Sequence, residues 1–286
     1  MTDRLGHDEI QKMSLDEMIQ SIQNPALPQY DLKDIKIVSN LHYSWDAWMS
    51  GDKPFPHTLE KAVALCEPLW AGDGFLLENF DLDSTCLKCL FNVSPDISAV
   101  LFSQRVKGRL DHAFRQLGTP VKFSRKVGFR ALGDNTREIV NQYVEKQVGK
   151  SDYVDVGFKK FLDDFTVVDR TVDLYQPESV AHGRYWNNIH LVLVIDDRRY
   201  PMTKKETFET VKDSCFKIAS KYNHHIAHLA VMPDHIHISL RVNPQISPEN
   251  LGLCYLNNLA FSMGRHRCLS EEFYVGTFSE YSLDQL

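Results

Sequence analysis

The sequence has no hydrophobic run long enough to cross a membrane. Its apolar stretches fall short of the ~20 residues that a bilayer-spanning helix needs. Hydrophobic residues make up 43% of the chain and charged residues 24%, which is ordinary for a globular protein. The first 20 residues are polar and acidic and contain no hydrophobic segment typical of a signal peptide. We therefore expect a cytoplasmic protein with no membrane partner.

Cysteine is scarce and scattered. The chain has 6 cysteines in 286 residues, and Cys86 and Cys89 form its single C-x-x-C pair. A zinc site made of cysteines needs a second such pair. The pair is therefore a weak zinc signal, and without an export signal we expect free thiols.

Positive charge is in deficit over the whole chain but not in one stretch of it. The formal net charge is −6, which argues against a protein that coats nucleic acid non-specifically. Between residues 101 and 130, however, eight basic residues accompany a single acid. A phosphate-contacting surface and an ordinary solvated helix face both explain this run. The basic residues are Arg105, Lys107, Arg109, Arg115, Lys122, Arg125, Lys126 and Arg130.

The strongest chemical signal is the segment 230–240, which reads AVMPDHIHISL. Alternation of polar and apolar residues after Pro233 predicts a β-strand with His235 and His237 on the face opposite Ile236. Two imidazoles at this spacing can bind one divalent cation if a third ligand comes from elsewhere. A pair of solvent-facing histidines on a half-buried strand is the alternative.

The same order of elements is predicted twice. Residues 93–98 (VSPDIS) and 242–247 (VNPQIS) match at a spacing of 149 residues, and each leads from a predicted strand into a predicted helix. Each half reads strand, helix, strand, strand, helix, strand, so the chain is an internal duplication. Such a half folds as an antiparallel sheet with helices on one face. The predicted fold class is α+β, with two such cores in tandem.

The two halves differ in the residues that carry chemistry. Carried back by 149 residues, His235 falls on Cys86 and His237 falls on Lys88. A protonated lysine cannot bind a metal, so the first half has no counterpart of the histidine pair.

The first half instead keeps a predicted helix over residues 135–147. Tyr143 and Gln147 lie four residues apart and share one face of it. The counterpart of Tyr143 in the second half would fall beyond Leu286. Taken alone, a helix tyrosine usually packs its ring and exposes its hydroxyl. Because each half keeps what the other lacks, we favour one composite site made by both.

Four segments together resemble single-tyrosine HUH transposases, the TnpA-like enzymes of small insertion sequences and the REP-associated tyrosine transposases. The most specific is the P-D-H-I-H motif. The segments are 233–237 followed by Asn243-Pro244, the basic helix at 104–109, the tyrosine helix at 143–147 preceded by Gly133, and the glycine-aromatic strand at 273–278.

This resemblance implies a fold and an activity. Each protomer of that family has a ferredoxin-like (RRM-like) core, and the tyrosine helix of one protomer completes the histidine site of the other. The resemblance implies that His235, His237 and Gln147 bind a divalent metal, magnesium or manganese, and that Tyr143 is the nucleophile. The implied reaction nicks and joins single-stranded or hairpin DNA through a 5′-phosphotyrosine intermediate.

The implied organisation is a monomer that acts as a pseudo-dimer with an approximate two-fold axis. Its predicted parts are an N-terminal helical arm (1–34), a first HUH-like half (35–147), a linker with a short helix (148–183) and a second half (184–286). The residues expected to contact DNA are Arg105, Lys107, Arg109, Lys122, Arg125, Lys126 and Arg130.

Two other functions also fit the sequence. One is a domesticated, transposase-derived protein that recognises DNA hairpins without catalysis. The other is an interaction protein that binds no DNA, with which the acidic net charge is consistent. A covalent protein–DNA product that is lost in Tyr143→Phe separates the enzyme from both.

Overall fold

The computed structural model describes residues 29–83, 85–150, 156–180, 183–196, 202, 204–264, 267–281 and 283. Within these ranges the protein is α+β and is built around two six-stranded sheets. No described helix is both long and apolar enough to span a bilayer. Most of the predicted N-terminal arm lies outside the described residues, which begin just before a 3₁₀ turn at Leu32–Asp34.

The first half contains β1 (Lys36–Asn40), β2 (His42–Met49), α1 (Leu59–Gly72), β3 (Phe75–Asp83), β4 (Cys86–Val93), α2 (Ala99–Gln116), β5 (Phe123–Leu132) and α3 (Arg137–Glu145). A middle segment contains α4 (Gln147–Lys150), α5 (Val156–Asp163), β6 (Thr166–Val168) and β7 (Glu178–Val180). The second half contains β8 (Gly183–Trp186), β9 (Asn188–Ile195), α6 (Lys205–Lys221), β10 (His225–Val231), β11 (His235–Arg241), α7 (Pro248–Ser262) and β12 (Leu269–Thr277).

Each sheet is built on one ferredoxin-like core. The first sheet has the strand order β3-β4-β2-β5-β8-β7, and the second has the order β1-β12-β9-β11-β10-β6. The four core strands are antiparallel in both sheets, and a pair of helices packs on each, α1 with α2 and α6 with α7. The tandem α+β fold predicted from the repeat is confirmed.

The two cores exchange a strand, which the sequence did not predict. β1 precedes the first core but pairs in parallel with β12 of the second sheet. β8 precedes the second core but pairs in parallel with β5 of the first sheet. Single residues, Leu41 and Asn187, join each exchanged strand to the next strand of the chain. Each sheet is therefore completed by a strand from the other half.

The repeated hexapeptide forms the N-caps of α2 and α7. The hydroxyl of Ser98 accepts a hydrogen bond from the backbone N–H of Leu101, and the hydroxyl of Ser247 accepts one from Asn250. Each serine satisfies an N–H group that has no partner within its helix. The repeat thus marks the same structural position in both halves.

The same two caps contact each other across the halves. The backbone N–H of Val100 donates to the carbonyl of Pro244 at 3.0 Å, and that of Glu249 donates to the carbonyl of Pro95 at 2.9 Å. Each bond joins the first turn of one helix to the loop before the other helix. The contact between the halves is therefore reciprocal here.

One hydrophobic core extends through both halves. It includes Trp45 and Trp70 of the first half and Tyr255 and Phe273 of the second, all at most 1% exposed. Burial of such side chains is the main stabilising contribution to the fold. Because the cluster is continuous, we treat the two halves as one folding unit.

Residues 148–183, predicted as a linker, contribute strands to both sheets. β6 pairs with β10 in the second sheet, and β7 pairs with β8 in the first. The α5 residue Phe161 also packs edge-on against Phe208 of α6, with 5.1 Å between ring centroids. The segment therefore braces the two halves as well as connecting them.

The two cores approach each other closely at Gly133, just after β5, and a substitution there tests this contact. A Cβ at this position would overlap the carbonyl oxygen of Thr277 at the end of β12. We expect Gly133→Ala to lower the free energy of unfolding by about 1–3 kcal/mol, seen as a lower urea midpoint. Gly108→Ala in α2 is the control, because nothing lies within 4 Å of a Cβ there. Equal midpoints for the two variants would contradict the packing.

Candidate functional site

The second sheet has a polar face on the side away from α6 and α7. On β11, the side chains of Ile236, Ile238 and Leu240 are fully buried in the core. His235 and His237 lie on the opposite face, as strand alternation requires. The predicted strand and the predicted facing of its histidines agree with the structure.

The helix α3 leaves the first core and packs on this polar face, against β10 and β11. The Asn141 side chain accepts a hydrogen bond from the Ser239 hydroxyl at 3.1 Å. The Glu145 carboxylate pairs with Nε2 of His228 at 3.0 Å. One wall of the candidate site therefore comes from the first half and the other from the second.

Tyr143 of α3 lies against the histidines. Its ring centroid is 5.3 Å from that of His237 and 6.1 Å from that of His190, and both contacts are edge-on. The residue is nevertheless 41% exposed. Its ring is thus anchored on the sheet while a large substrate can still reach the residue.

His235 is oriented by the preceding residue. Its Nδ1 lies 2.6 Å from Oδ1 of Asp234. A carboxylate only accepts hydrogen bonds, so in the neutral ring Nδ1 carries the proton and Nε2 keeps its lone pair. Metal-binding histidines are commonly held by such a carboxylate.

His237 has a second histidine as its partner. Its Nδ1 lies 3.1 Å from Nε2 of His190, and the two rings are nearly parallel with centroids 5.3 Å apart. Burial lowers the pKa of His190 to about 4, so this ring is neutral at pH 7. When His190 accepts the hydrogen bond, the Nε2 of His237 is left with a lone pair for a ligand.

Sequence reasoning missed His190. The signal was present, since His190 is the one ionisable residue in the apolar strand β9, NIHLVLVI. Its facing can be read from the alternation of that strand, but its partner cannot. The pairing with His237 depends on the register between β9 and β11.

Gln147 follows Tyr143 by one helical turn at the start of α4 and is buried. Its Nε2 donates to the backbone carbonyl of Tyr143 at 2.8 Å. The amide oxygen is the side-chain atom that can act as a ligand. The described residues contain no group of three or more His, Cys, Asp or Glu placed to hold a metal.

The matching face of the first sheet has different chemistry. In the strand register, Lys88 lies opposite Asp46 at the position where His237 lies opposite Val192 in the second sheet. Cys86 and Cys89 lie on opposite faces of β4, so they cannot bind one zinc ion together. Burial raises the pKa of the Cys86 thiol to about 11, and all six cysteines are free thiols.

The predicted DNA-contacting residues fall into three groups, the first of which is bound to the protein itself. Arg109 makes two hydrogen bonds to Asp73, both 3.0 Å, and Arg105 lies 3.8 Å from the same carboxylate. Lys107 donates to the carbonyl of Ser124 at 2.6 Å, and burial lowers its pKa.

The other two groups line separate clefts. Lys122 and Arg125 line a cleft of about 740 Å³ beside α2. Lys126 and Arg130 line a cleft of about 670 Å³ on the polar face of the first sheet. The basic stretch therefore presents two surfaces instead of one.

The pair of Arg109 and Asp73 gives a test of a structural role. Arg109 holds the pKa of Asp73 below its ordinary value of 3.8, so this stabilisation is present above that pH and is lost as the pH falls through the lower folded-state pKa. We expect Arg109→Ala to lower the free energy of unfolding at pH 7 by up to about 1 kcal/mol. Urea titrations at several pH values should show this difference shrink in acid, whereas the control Arg125→Ala should match the wild type.

Residues 184–252 match the sequence profile of a family described as "Transposase IS200 like". The match contains His235 and His237 and ends within α7, so it does not extend to Tyr143 or Gln147. No curated protein matches the chain. The resemblance inferred from the histidine motif is thus confirmed for this region, and it supports a transposase-type function with DNA as partner.

Proposed function

We propose that this chain, which carries an IS200-like transposase region at residues 184–252, is a metal-dependent enzyme that nicks and joins single-stranded DNA. The reaction takes place at one composite site. The observation that carries the proposal is the approach of Tyr143, from the first half, to within 5.3 Å of the ring of His237 in the second half.

In this proposal the chain is a monomer that works as a pseudo-dimer of two halves, 35–147 and 184–286. Three features support that organisation. The cores exchange strands β1 and β8, their helix caps contact each other reciprocally, and α3 of one core packs on the sheet of the other. The composite site then needs no second chain.

His235, His237 and Gln147 would hold one divalent cation, magnesium or manganese. Asp234 holds the His235 ring with an Nε2 lone pair free, and the Nε2 of His237 is free when His190 accepts the hydrogen bond. Gln147 would offer its amide oxygen. The amide oxygen is a carbonyl donor that suits magnesium and manganese, whereas the two imidazole nitrogens are ligands that later first-row metals prefer. When bound, the cation supplies Lewis-acid polarisation of the scissile phosphate.

Tyr143 would supply the nucleophile. Its phenolic oxygen attacks phosphorus in line with the departing 3′-oxygen, so that a new O–P bond forms as the P–O3′ bond breaks. The phenol loses its proton, and the departing oxygen gains one and becomes a 3′-hydroxyl. The 5′-phosphotyrosine ester conserves the energy of the broken phosphodiester bond. Attack by a 3′-hydroxyl can therefore reverse the step and join the strand.

We assign phosphate contacts first to Lys122, Arg125 and Lys126, because they line open clefts. The remaining predicted contacts have partners within the protein and serve structure first. They are Arg105, Lys107, Arg109 and Arg130, the last of which is ion-paired with Glu280. A single strand or a hairpin end fits this arrangement, because its phosphate must reach Tyr143 and His237 where α3 packs on the second sheet.

The central test uses Tyr143→Phe. With a labelled single-stranded hairpin and Mn²⁺, the wild type should form a covalent adduct that survives denaturation, and Tyr143→Phe should form none while keeping its DNA affinity within about two-fold. Tyr175→Phe is the matched control, since Tyr175 is also about half exposed but bonds to Glu138 away from the histidines. An adduct in Tyr143→Phe would overturn the assignment of the nucleophile.

A second test addresses the metal without requiring activity. Asp234→Asn replaces a carboxylate that holds Nδ1 of His235, and loss of such a partner typically weakens metal binding about 10–100-fold. We expect that loss in Mn²⁺ titrations followed by calorimetry. The control Asp213→Asn, on the exposed side of α6, should bind as the wild type does. Unchanged affinity in Asp234→Asn would exclude this metal site.

One observation favours a second candidate function. The described residues contain no group of three or more His, Cys, Asp or Glu placed to hold a metal ion, which suits a transposase-derived protein that recognises DNA hairpins without cleaving them. Hairpin binding by the wild type, with no adduct in either Mg²⁺ or Mn²⁺, would identify that function. The cytoplasmic location stays a prediction in both cases.

A further inference from the structure

The polar face of the first sheet carries a cleft that the proposed reaction does not use. The cleft measures about 670 Å³ and is lined by residues of β2, β5, β7 and β8. It lies on the face that corresponds to the histidine face of the second sheet, since Lys88 of the first sheet takes the register position of His237. This face has no counterpart of the histidine pair, but it still carries polar and charged residues.

Residue by residue, this face carries indoles and cations where the second sheet has small or neutral residues. Trp48 stands where the second sheet has Val194, because their strand partners are Cys86 and His235. On the exchanged strands, Trp186 pairs with Arg130, whereas its counterpart Asn40 pairs with Gly276.

The two indoles line the same cleft and one of them is firmly held. The guanidinium carbon of Arg130 lies 4.2 Å from the ring centroid of Trp186, and Nε1 of Trp186 donates to the carbonyl of Tyr175 at 2.7 Å. A ring that is already fixed loses little conformational entropy when a flat group stacks on it. Trp48 is half-buried at the end of β2.

The charges of the cleft suit an anionic chain. Lys126 and Arg184 are exposed, and neither is ion-paired within the part of the chain that the structure describes. The cleft also contains Asp46 and Asp52. Asp46 is half-buried and accepts a hydrogen bond from Ser44 at 2.9 Å, whereas Asp52 is exposed. The cleft therefore presents two exposed cations, Lys126 and Arg184, and one exposed carboxylate.

We propose that this cleft binds a segment of single-stranded DNA without cleaving it. Bases stack on Trp48 and Trp186, and backbone phosphates contact Lys126 and Arg184. Stacking on indoles tolerates any base and, with a basic groove, is the usual basis of single-strand binding. The proposal rests on the proposed function and extends it, because one half would hold the strand that the composite site cuts.

The test uses the full chain with Tyr143→Phe in every protein and with EDTA, so that the DNA stays intact. Fluorescence anisotropy of a labelled 15-nucleotide thymidine strand gives the Kd at several salt concentrations. Trp48→Ala should raise the Kd about ten-fold. Arg184→Ala should reduce the slope of log Kd against log salt by about 0.7, the value for one lost phosphate contact.

Matched controls remove the same groups elsewhere. Phe261→Ala removes an aromatic residue that is 59% exposed on α7, and Lys217→Ala removes an exposed cation of α6. Both should bind as the parent protein does. If Trp48→Ala and Arg184→Ala also match the parent in Kd and salt slope, the proposal is wrong, and the Arg184 variant tests this even if the Trp48 variant does not fold.

The adduct assay separates this proposal from the proposed function. If binding depends on Trp48 and Arg184 but the protein with Tyr143 intact forms no adduct, the cleft is supported and the enzyme is overturned. Adduct formation together with binding that is indifferent to both substitutions supports the enzyme and overturns the cleft.

Discussion

The parallel pairing of β1 with β12 and of β8 with β5 is the constraint on which the rest of the molecule depends. Each exchanged strand is joined by a single residue to the core from which it departs, so the two sheets cannot move apart without breaking a ladder of backbone hydrogen bonds. This holds the start of α3 at a fixed distance from β11. A tyrosine on one core can therefore lie against histidines on the other, and the proposed reaction would lose little freedom in bringing them together.

The candidate site shows how much of its chemistry lies outside the residues that would touch a substrate. His235 and His237 are aimed by Asp234 and His190, and α3 is held by Asn141 and Glu145. These partners make no contact with DNA in the proposed reaction. They decide which ring nitrogen is free and where the phenol lies, which is the part of catalysis that a folded scaffold supplies.

The element order of the fold and the facing of His235 and His237 on their strand could be predicted because their signals are local. The repeated hexapeptide fixes the element order, and the alternation around His235 fixes its face. The strand exchange, the role of His190 and the binding of Arg105 and Arg109 to Asp73 could not be predicted, because each joins residues far apart in the chain. A basic residue looks the same in a sequence whether it faces solvent or an internal carboxylate. The sequence therefore predicted one basic surface where the structure has two clefts.

The fusion of two cores in one chain also changes what substitution can do. In a symmetric dimer every substitution appears in both copies of a site, so the two sites must stay alike. Here Lys88 and His237 occupy equivalent register positions but are encoded separately. Each face can therefore change without altering the other. Covalent linkage also keeps the effective concentration of one half near the other high and independent of dilution, so the pairing of unlike halves does not have to compete with the pairing of like ones.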